Sequence, residues 1–199
     1  MIEGTPLFEV HPLPWKPPPA ADFDALLLGS PNSVNHSGQD LEIYRNLQVF
    51  AVGEETARAA RIAGFAIART GETTLQSLVN ETAEPLRYLR LTGRAHVPLV
   101  APAGATVTTR IVYEVRPLPI PAEFAEKLSQ GALVLLHSGE AARHFASECD
   151  RLGVPRANVA IAALAPRIAE AAGSGWRTVE CAAQPNDCAL LVLVRDMCH

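Results

Sequence analysis

Three polar stretches in this sequence each follow an apolar run, and each has residues suited to holding an anion. Ser30-Pro31-Asn32-Ser33 follows Asp24–Gly29, Gly53-Glu54-Glu55-Thr56 follows Val49–Val52, and His137-Ser138-Gly139-Glu140 follows Ala132–Leu136. A buried strand that turns sharply into a helix leaves the first N–H groups of that helix without partners. Those donors, together with the helix dipole, favour a negatively charged ligand above the sheet edge. Ser30, Asn32, Thr56 and Ser138 add side-chain donors, and Gly53 permits the sharp turn. The same pattern also serves as an ordinary α/β turn with no ligand, since Ser, Pro and Asn all favour turns. Neither Ser30 nor Ser138 sits in a G-x-S-x-G elbow, so a serine hydrolase is not indicated. Cys149, Cys181, Cys188 and Cys198 show no CxxC spacing and all lie in the last quarter. They read as reduced thiols, not as a zinc site or a disulfide frame.

The elements that must position these residues follow from the hydrophobic pattern. Asp24–Gly29 and Val49–Val52 are continuous apolar runs, as expected of strands buried on both faces of a parallel sheet. The second run leads through Gly53 into an Ala-rich helix that stops at Gly64. Further strands are expected at Ala66–Thr70, Tyr88–Gly93 and Thr106–Val115, the last dense in β-branched residues with Tyr113 near its end. A helix is expected over Thr74–Asn80, capped from Glu72/Thr73. Pro117, Pro119 and Pro121 mark a linker. The pattern then begins again. Helices are expected at Glu123–Gln130, Ala141–Leu152, Pro166–Ala172 and Asp187–Arg195. Buried strands are expected at Ala132–Leu136, Asn158–Ala163 and Thr178–Ala182. Leu28 and Leu136 are 108 residues apart, and Val52 and Ile161 are 109 apart. The expected fold is therefore α/β: two similar domains with parallel sheets flanked by helices and a cleft between them.

The 199 residues suffice for two small domains. A net charge of −4 and a pI near 5.9 argue against a general nucleic-acid binder, whose footprint is basic. No apolar run reaches the length of a membrane span, and the N-terminus lacks a signal-peptide pattern. A cytoplasmic protein without nucleic-acid or membrane partners is the expectation.

Taken in order, the segments DALLLGSPNSV (Asp24–Val34), VFAVGEETARAARIAGF (Val49–Phe65), LRLTGRAHVPL (Leu89–Leu99), VYEVRPLP (Val112–Pro119) and ALVLLHSGEAARHF (Ala132–Phe145) resemble the uroporphyrinogen-III synthase family of the tetrapyrrole pathway. The likeness runs from about Pro6 to the end. It rests on order and spacing, since no single motif is diagnostic. It implies a cofactor-free lyase that closes linear hydroxymethylbilane into uroporphyrinogen III with inversion of the last pyrrole ring, and no metal. It also implies two α/β domains joined by two linker strands, near residues 5–10 and 108–117. Residues 8–112 would form an inserted domain, and residues 1–7 with 116–199 the other.

Under that resemblance Tyr113 matches the tyrosine proposed to help the substrate's hydroxyl leave; a phenol donates a hydrogen bond near neutral pH without special tuning. Ser30, Asn32, Gly53, Thr56, Arg94, Ser138 and Gly139 are the expected substrate contacts. Arg90, His96, Arg143 and His144 are further candidates for pairing with the eight substrate carboxylates. Two departures from the family pattern stand out. The second half reads Ala162–Ala169 where a G-x-x-T-A turn is expected, with Ile168 near the threonine's place, which implies a more apolar wall there. The family's opening strand and helix have no counterpart before Thr5, so one sheet is expected to expose an edge and an apolar face. Family members are monomers; a chain truly lacking those elements is expected to hide the edge in a dimer. The alternative function is a degenerate, non-catalytic tetrapyrrole-binding relative.

Overall fold

The structure is a computed structural model that describes residues 3–82 and 84–198. The chain divides into two compact units, Glu9–Arg116 and the pair of segments Met1–Phe8 and Pro117–His199. The larger unit is built on a six-stranded sheet. Its strands are β1 (Phe8–Pro12), β2 (Ala25–Leu28), β3 (Gln48–Val52), β4 (Ile67–Gly71), β5 (Arg87–Gly93) and β6 (Thr106–Pro117), in spatial order β1-β6-β5-β2-β3-β4. β2 to β6 pair in parallel. β1 runs against β6, for Leu13 N–H donates to the Val112 carbonyl at one end and Leu118 N–H to the Leu7 carbonyl at the other. β1 and β6 are thus the two strands through which the chain passes between the units.

Local chemistry explains these elements. The four residues of β2, Ala-Leu-Leu-Leu, are all buried, because helices cover both faces of a parallel sheet. Leu26, Leu28, Leu89 and Leu91 pack on one face with Ala57 and Ala60 of helix α2 (Glu54–Ile62). Leu27, Phe50 and Tyr88 pack on the other with Leu78 and Val79 of helix α3 (Leu75–Asn80). Gly53 precedes α2 at φ 80°, a conformation costly for any residue with a Cβ, so the glycine is what permits the turn. The cap of α3 is Thr74, whose Oγ1 accepts from Ser77 N–H at 3.0 Å, and not the expected Glu72/Thr73 pair. Thr74 takes this place because it is the last extended residue, where an N-cap oxygen can reach back to the first turn.

The smaller unit has a three-stranded parallel sheet, β7 (Ala132–Leu136), β8 (Val159–Ala163) and β9 (Thr178–Cys181), in that order. Four helices flank it: α4 (Ala122–Ser129), α5 (Gly139–Leu152), α6 (Pro166–Ala172) and α7 (Asp187–Met197). The central strand β8 is fully buried. The expectation of a buried strand at Ala132–Leu136 is met only in part: Leu136 is buried, and the four residues before it are half-exposed. The cause is position, since β7 is an edge that pairs with β8 alone among the described residues. Beside it runs an apolar groove of about 650 Å³, lined by Leu7, Phe124, Leu133, Leu135, Leu191 and Val194 among others. Among the described residues no helix is long and apolar enough to cross a membrane.

Candidate functional site

In the larger sheet β2 is followed outward on one side by β3 and β4, whereas β5 and β6 lie on its other side. The connections therefore reverse direction between β2 and β5. Open parallel sheets leave a crevice for ligands at the carboxyl ends of the strands where this happens. A cavity of about 380 Å³ lies there. Its lining comes from the ends of four strands and the loops beyond them: Gly29 and Ser30 after β2, Val52 from β3, Thr92 from β5 and Tyr113 from β6. The loop after β5 supplies residues 95–99, and the start of α3 closes another side.

Tyr113 owes its position to two features of β5 and β6. The register between these strands shifts at Thr92/Gly93, so that Gly93 sits opposite Tyr113 and Arg94 N–H donates to the Tyr113 carbonyl at 3.0 Å. Such a bulge redirects a side chain at a strand end. The phenol ring then lies against Gly93 so closely that a Cβ there would come within 2.6 Å of the ring. Glycine is required by this approach, not by its dihedral freedom. On another side the His36 ring is 6.2 Å from that of Tyr113. His96 is anchored by Nδ1, which is 2.9 Å from the Gly93 carbonyl and 3.1 Å from the Arg94 carbonyl. Carbonyls only accept, so Nδ1 carries a proton, and in the neutral ring Nε2 is left as the acceptor.

Arg90 lies in the centre of β5, paired in register with Leu27 and Thr109, and lines the same cavity. It is 6% exposed. Its Nη1 donates to the Val97 carbonyl at 2.9 Å, bracing the loop after β5, and its Nε has no partner among the described residues. Burial lowers its pKa from the ordinary arginine value. Ser33, 1% exposed in the short helix α1 (Asn32–Asn35), also lines the cavity with an unpartnered Oγ.

The residues expected from the sequence fall into three groups. Tyr113 and Ser30 line the cavity, and Ser30 Oγ accepts from Asn32 N–H at 3.2 Å. Asn32, Gly53, Thr56 and Arg94 belong to the same unit but lie outside the lining. Gly53 N–H donates to the Gly71 carbonyl at 2.8 Å. Thr56 is 2% exposed, on the inner side of the first turn of α2. Arg94 is largely in solvent and donates from Nε to Glu114 at 2.8 Å. Arg116 and Arg94 together hold the Glu114 carboxyl below its usual range. Ser138 and Gly139 belong to the smaller unit, where Ser138 caps α5 by accepting from Ala141 N–H at 3.1 Å. Arg143 and His144 lie on that helix too, and His144 Nε2 donates to the Leu118 carbonyl at 2.7 Å. Ile168, third residue of α6 as Thr56 is of α2, is likewise in a core. Ser33 was not singled out by the sequence, because a serine after a turn carries no mark of whether its hydroxyl ends up paired.

Comparison with known proteins addresses the chain as a whole. A family model described as uroporphyrinogen-III synthase HemD matches residues 5–191. Among solved structures, the uroporphyrinogen-III synthetase of Helicobacter pylori aligns at a TM-score of 0.69 and 17% identity, over 96% of this chain and 91% of that one. A mutant uroporphyrinogen III synthase of the extremely thermophilic bacterium Thermus thermophilus aligns at 0.51 and 16% identity, over 96% and 87%. At such identities the likeness speaks for the fold. A comparison with curated proteins gives no match. With a family model spanning nearly all of the sequence and the same α/β architecture in two solved synthases, the chain belongs to the uroporphyrinogen-III synthase family.

Proposed function

We propose that this protein is a uroporphyrinogen-III synthase, a lyase that closes hydroxymethylbilane into uroporphyrinogen III with inversion of ring D. The observation that carries the reading is the placement of Tyr113 against Gly93, where its ring lines a cavity at the carboxyl ends of β2, β3 and β5. In the reaction the hydroxyl of the terminal hydroxymethyl group leaves as water, which requires a proton on that oxygen. The carbon left behind is an electrophilic azafulvene, and a pyrrole carbon attacks it. The Tyr113 hydroxyl is the proposed donor to the departing oxygen. Ser30 is proposed to hold substrate beside that hydroxyl, and Ser138 and Gly139 are proposed as further substrate contacts. No metal or cofactor is required by this chemistry. The reading places the protein in tetrapyrrole and heme biosynthesis, in the cytoplasm.

The test is to supply the purified chain with hydroxymethylbilane, oxidise the products and separate the isomers. Isomer III in excess of the protein-free control is expected. Isomer I alone, which forms without catalysis, would leave a tetrapyrrole-binding relative without turnover.

A further inference from the structure

Among the described residues Arg90 is a cation without a counter-ion. It is buried in the middle of a strand, and no carboxylate lies within ion-pair distance of it among the described residues. A guanidinium removed from water loses hydration that only a paired anion and saturated hydrogen bonds restore. Of its five N–H donors, the structure engages one through Nη1 with Val97, and Nε is unpaired. Folding alone does not explain this residue: its neighbours on the same sheet face are Leu27, Phe50 and Tyr88, and an apolar side chain would extend that core. Of the other buried side-chain polar atoms without a hydrogen-bond partner among the described residues, His11 Nε2, Tyr88 Oη and Ser33 Oγ, only Ser33 belongs to the lining of the same cavity. Two further polar residues of the lining are already used within the protein: Thr74 caps α3, and Gln76 bonds to Val100 and Asn80.

The cavity also limits what the missing anion is. Among the described residues no Asp or Glu lines it, and its apolar walls include Val52, Leu75, Val97 and Leu99. One fixed positive charge balances one negative charge, which fits a monoanion better than a phosphate dianion. Apolar walls beside the charge fit methylene groups. We infer that the Arg90–Ser33 cavity is a subsite for a single carboxylate on a short aliphatic stem. The inference rests on the proposed function for the ligand's identity, in which the stem is an acetate or propionate arm of the tetrapyrrole. Arg90 then forms a charge-assisted pair with the carboxylate, Ser33 donates a second bond, and Arg94, paired with Glu114 in solvent, plays no part in the subsite.

The probe is sodium propionate, added to the full chain carrying ¹⁵N-labelled arginine at constant ionic strength, with the Arg90 Nε–Hε signal as readout. That signal should move saturably with propionate and stay in place with chloride or phosphate. Ser33→Ala should weaken the response at least threefold. Arg90→Met, of similar length and without charge, should abolish propionate protection in thermal melts without lowering the melting midpoint of the ligand-free protein. An Arg90 signal unmoved by propionate, or one moved equally by chloride, overturns the subsite. In turnover, Arg90→Met should raise KM for hydroxymethylbilane about tenfold or more. Isomer III formation with an unchanged KM in this variant overturns the subsite and leaves the synthase reading intact. Propionate binding through Arg90 in a protein that makes no isomer III supports the subsite and removes the synthase reading.

Discussion

At the scale of single residues, the site depends on one close approach. The Tyr113 ring occupies the space a side chain at position 93 would need, so Gly93 and Tyr113 act as a pair. Gly93→Ala should displace the phenol by a few tenths of an ångström or more. Because the clash is with a ring at a cavity wall, the fold should survive, at a cost of about 1–2 kcal/mol. Turnover should fall roughly tenfold or more, since small misplacements of a reacting group are expensive. Steady-state rates beside a denaturant melt would check this; unchanged rates would mean that the phenol is not positioned by Gly93. A contrast comes from Arg94. Its side chain is exposed and its partner Glu114 keeps Arg116 as a second cation, so Arg94→Ala should alter KM by less than about twofold. A tenfold rise in KM would instead mark Arg94 as a substrate contact. Arg94 and Arg90 are two of several arginines in similar sequence surroundings. The sequence reading puts Arg94 among the expected contacts and Arg90 only among further candidates, and pattern cannot support that order, because which side of a strand end is solvent is decided by the loop that follows.

At the scale of elements, α5 is fixed at both ends by identifiable chemistry. Ser138 caps its start, and Gly153 closes it in the left-handed conformation at φ 68°. Midway, buried Glu148 accepts from Ile120 N–H at 2.7 Å and from Arg151 at 2.7 Å through each carboxylate oxygen, tying the helix to the segment after β6. The Arg151 guanidinium and the Ile120 N–H hold this carboxyl down to about 2 against an ordinary 4.5. A depressed folded value means that the stabilisation is complete above about 4.5 and is lost as pH falls toward 2. Glu148→Gln should therefore cost about 1–3 kcal/mol at pH 7 and flatten the acid limb of the stability profile between those values. Urea melts across pH 2–7 would show it. A variant with the wild-type acid slope would assign the acid sensitivity elsewhere.

The helices and strands themselves were mostly legible in sequence, for physical reasons visible in particular stretches. Ala-Leu-Leu-Leu carries the continuous apolar pattern of a strand covered on both faces, and Gly53 and Gly64 bracket α2. What pattern alone misjudged was environment. Ala132–Leu136 is as apolar as β2 yet lies at an edge, because burial depends on what covers a strand and not on its own composition. Thr56 looked available as the third residue of a helix after a glycine turn, but that position turns inward under α2.

At the scale of the whole molecule, the chain folds as two α/β units of unequal sheet size, six strands and three, and belongs to the uroporphyrinogen-III synthase family. The crevice at the reversal of strand order lies in the larger unit, and it follows from connectivity: β2, β3 and β4 proceed one way, and the next strand returns to the other side of β2. No run of residues announces such a reversal. The order and spacing of whole segments, from Asp24–Val34 to Ala132–Phe145, carried the family where no single motif did. The central claim is that ring closure occurs beside Tyr113. It is tested most directly by measuring the initial rate of uroporphyrinogen III formation from hydroxymethylbilane for the wild-type chain and for Tyr113→Phe in parallel. The account predicts isomer III from the wild type and a roughly 100-fold slower rate in the variant with KM little changed, as for loss of a proton donor. Equal rates for the two proteins, or isomer I alone from both, would contradict it.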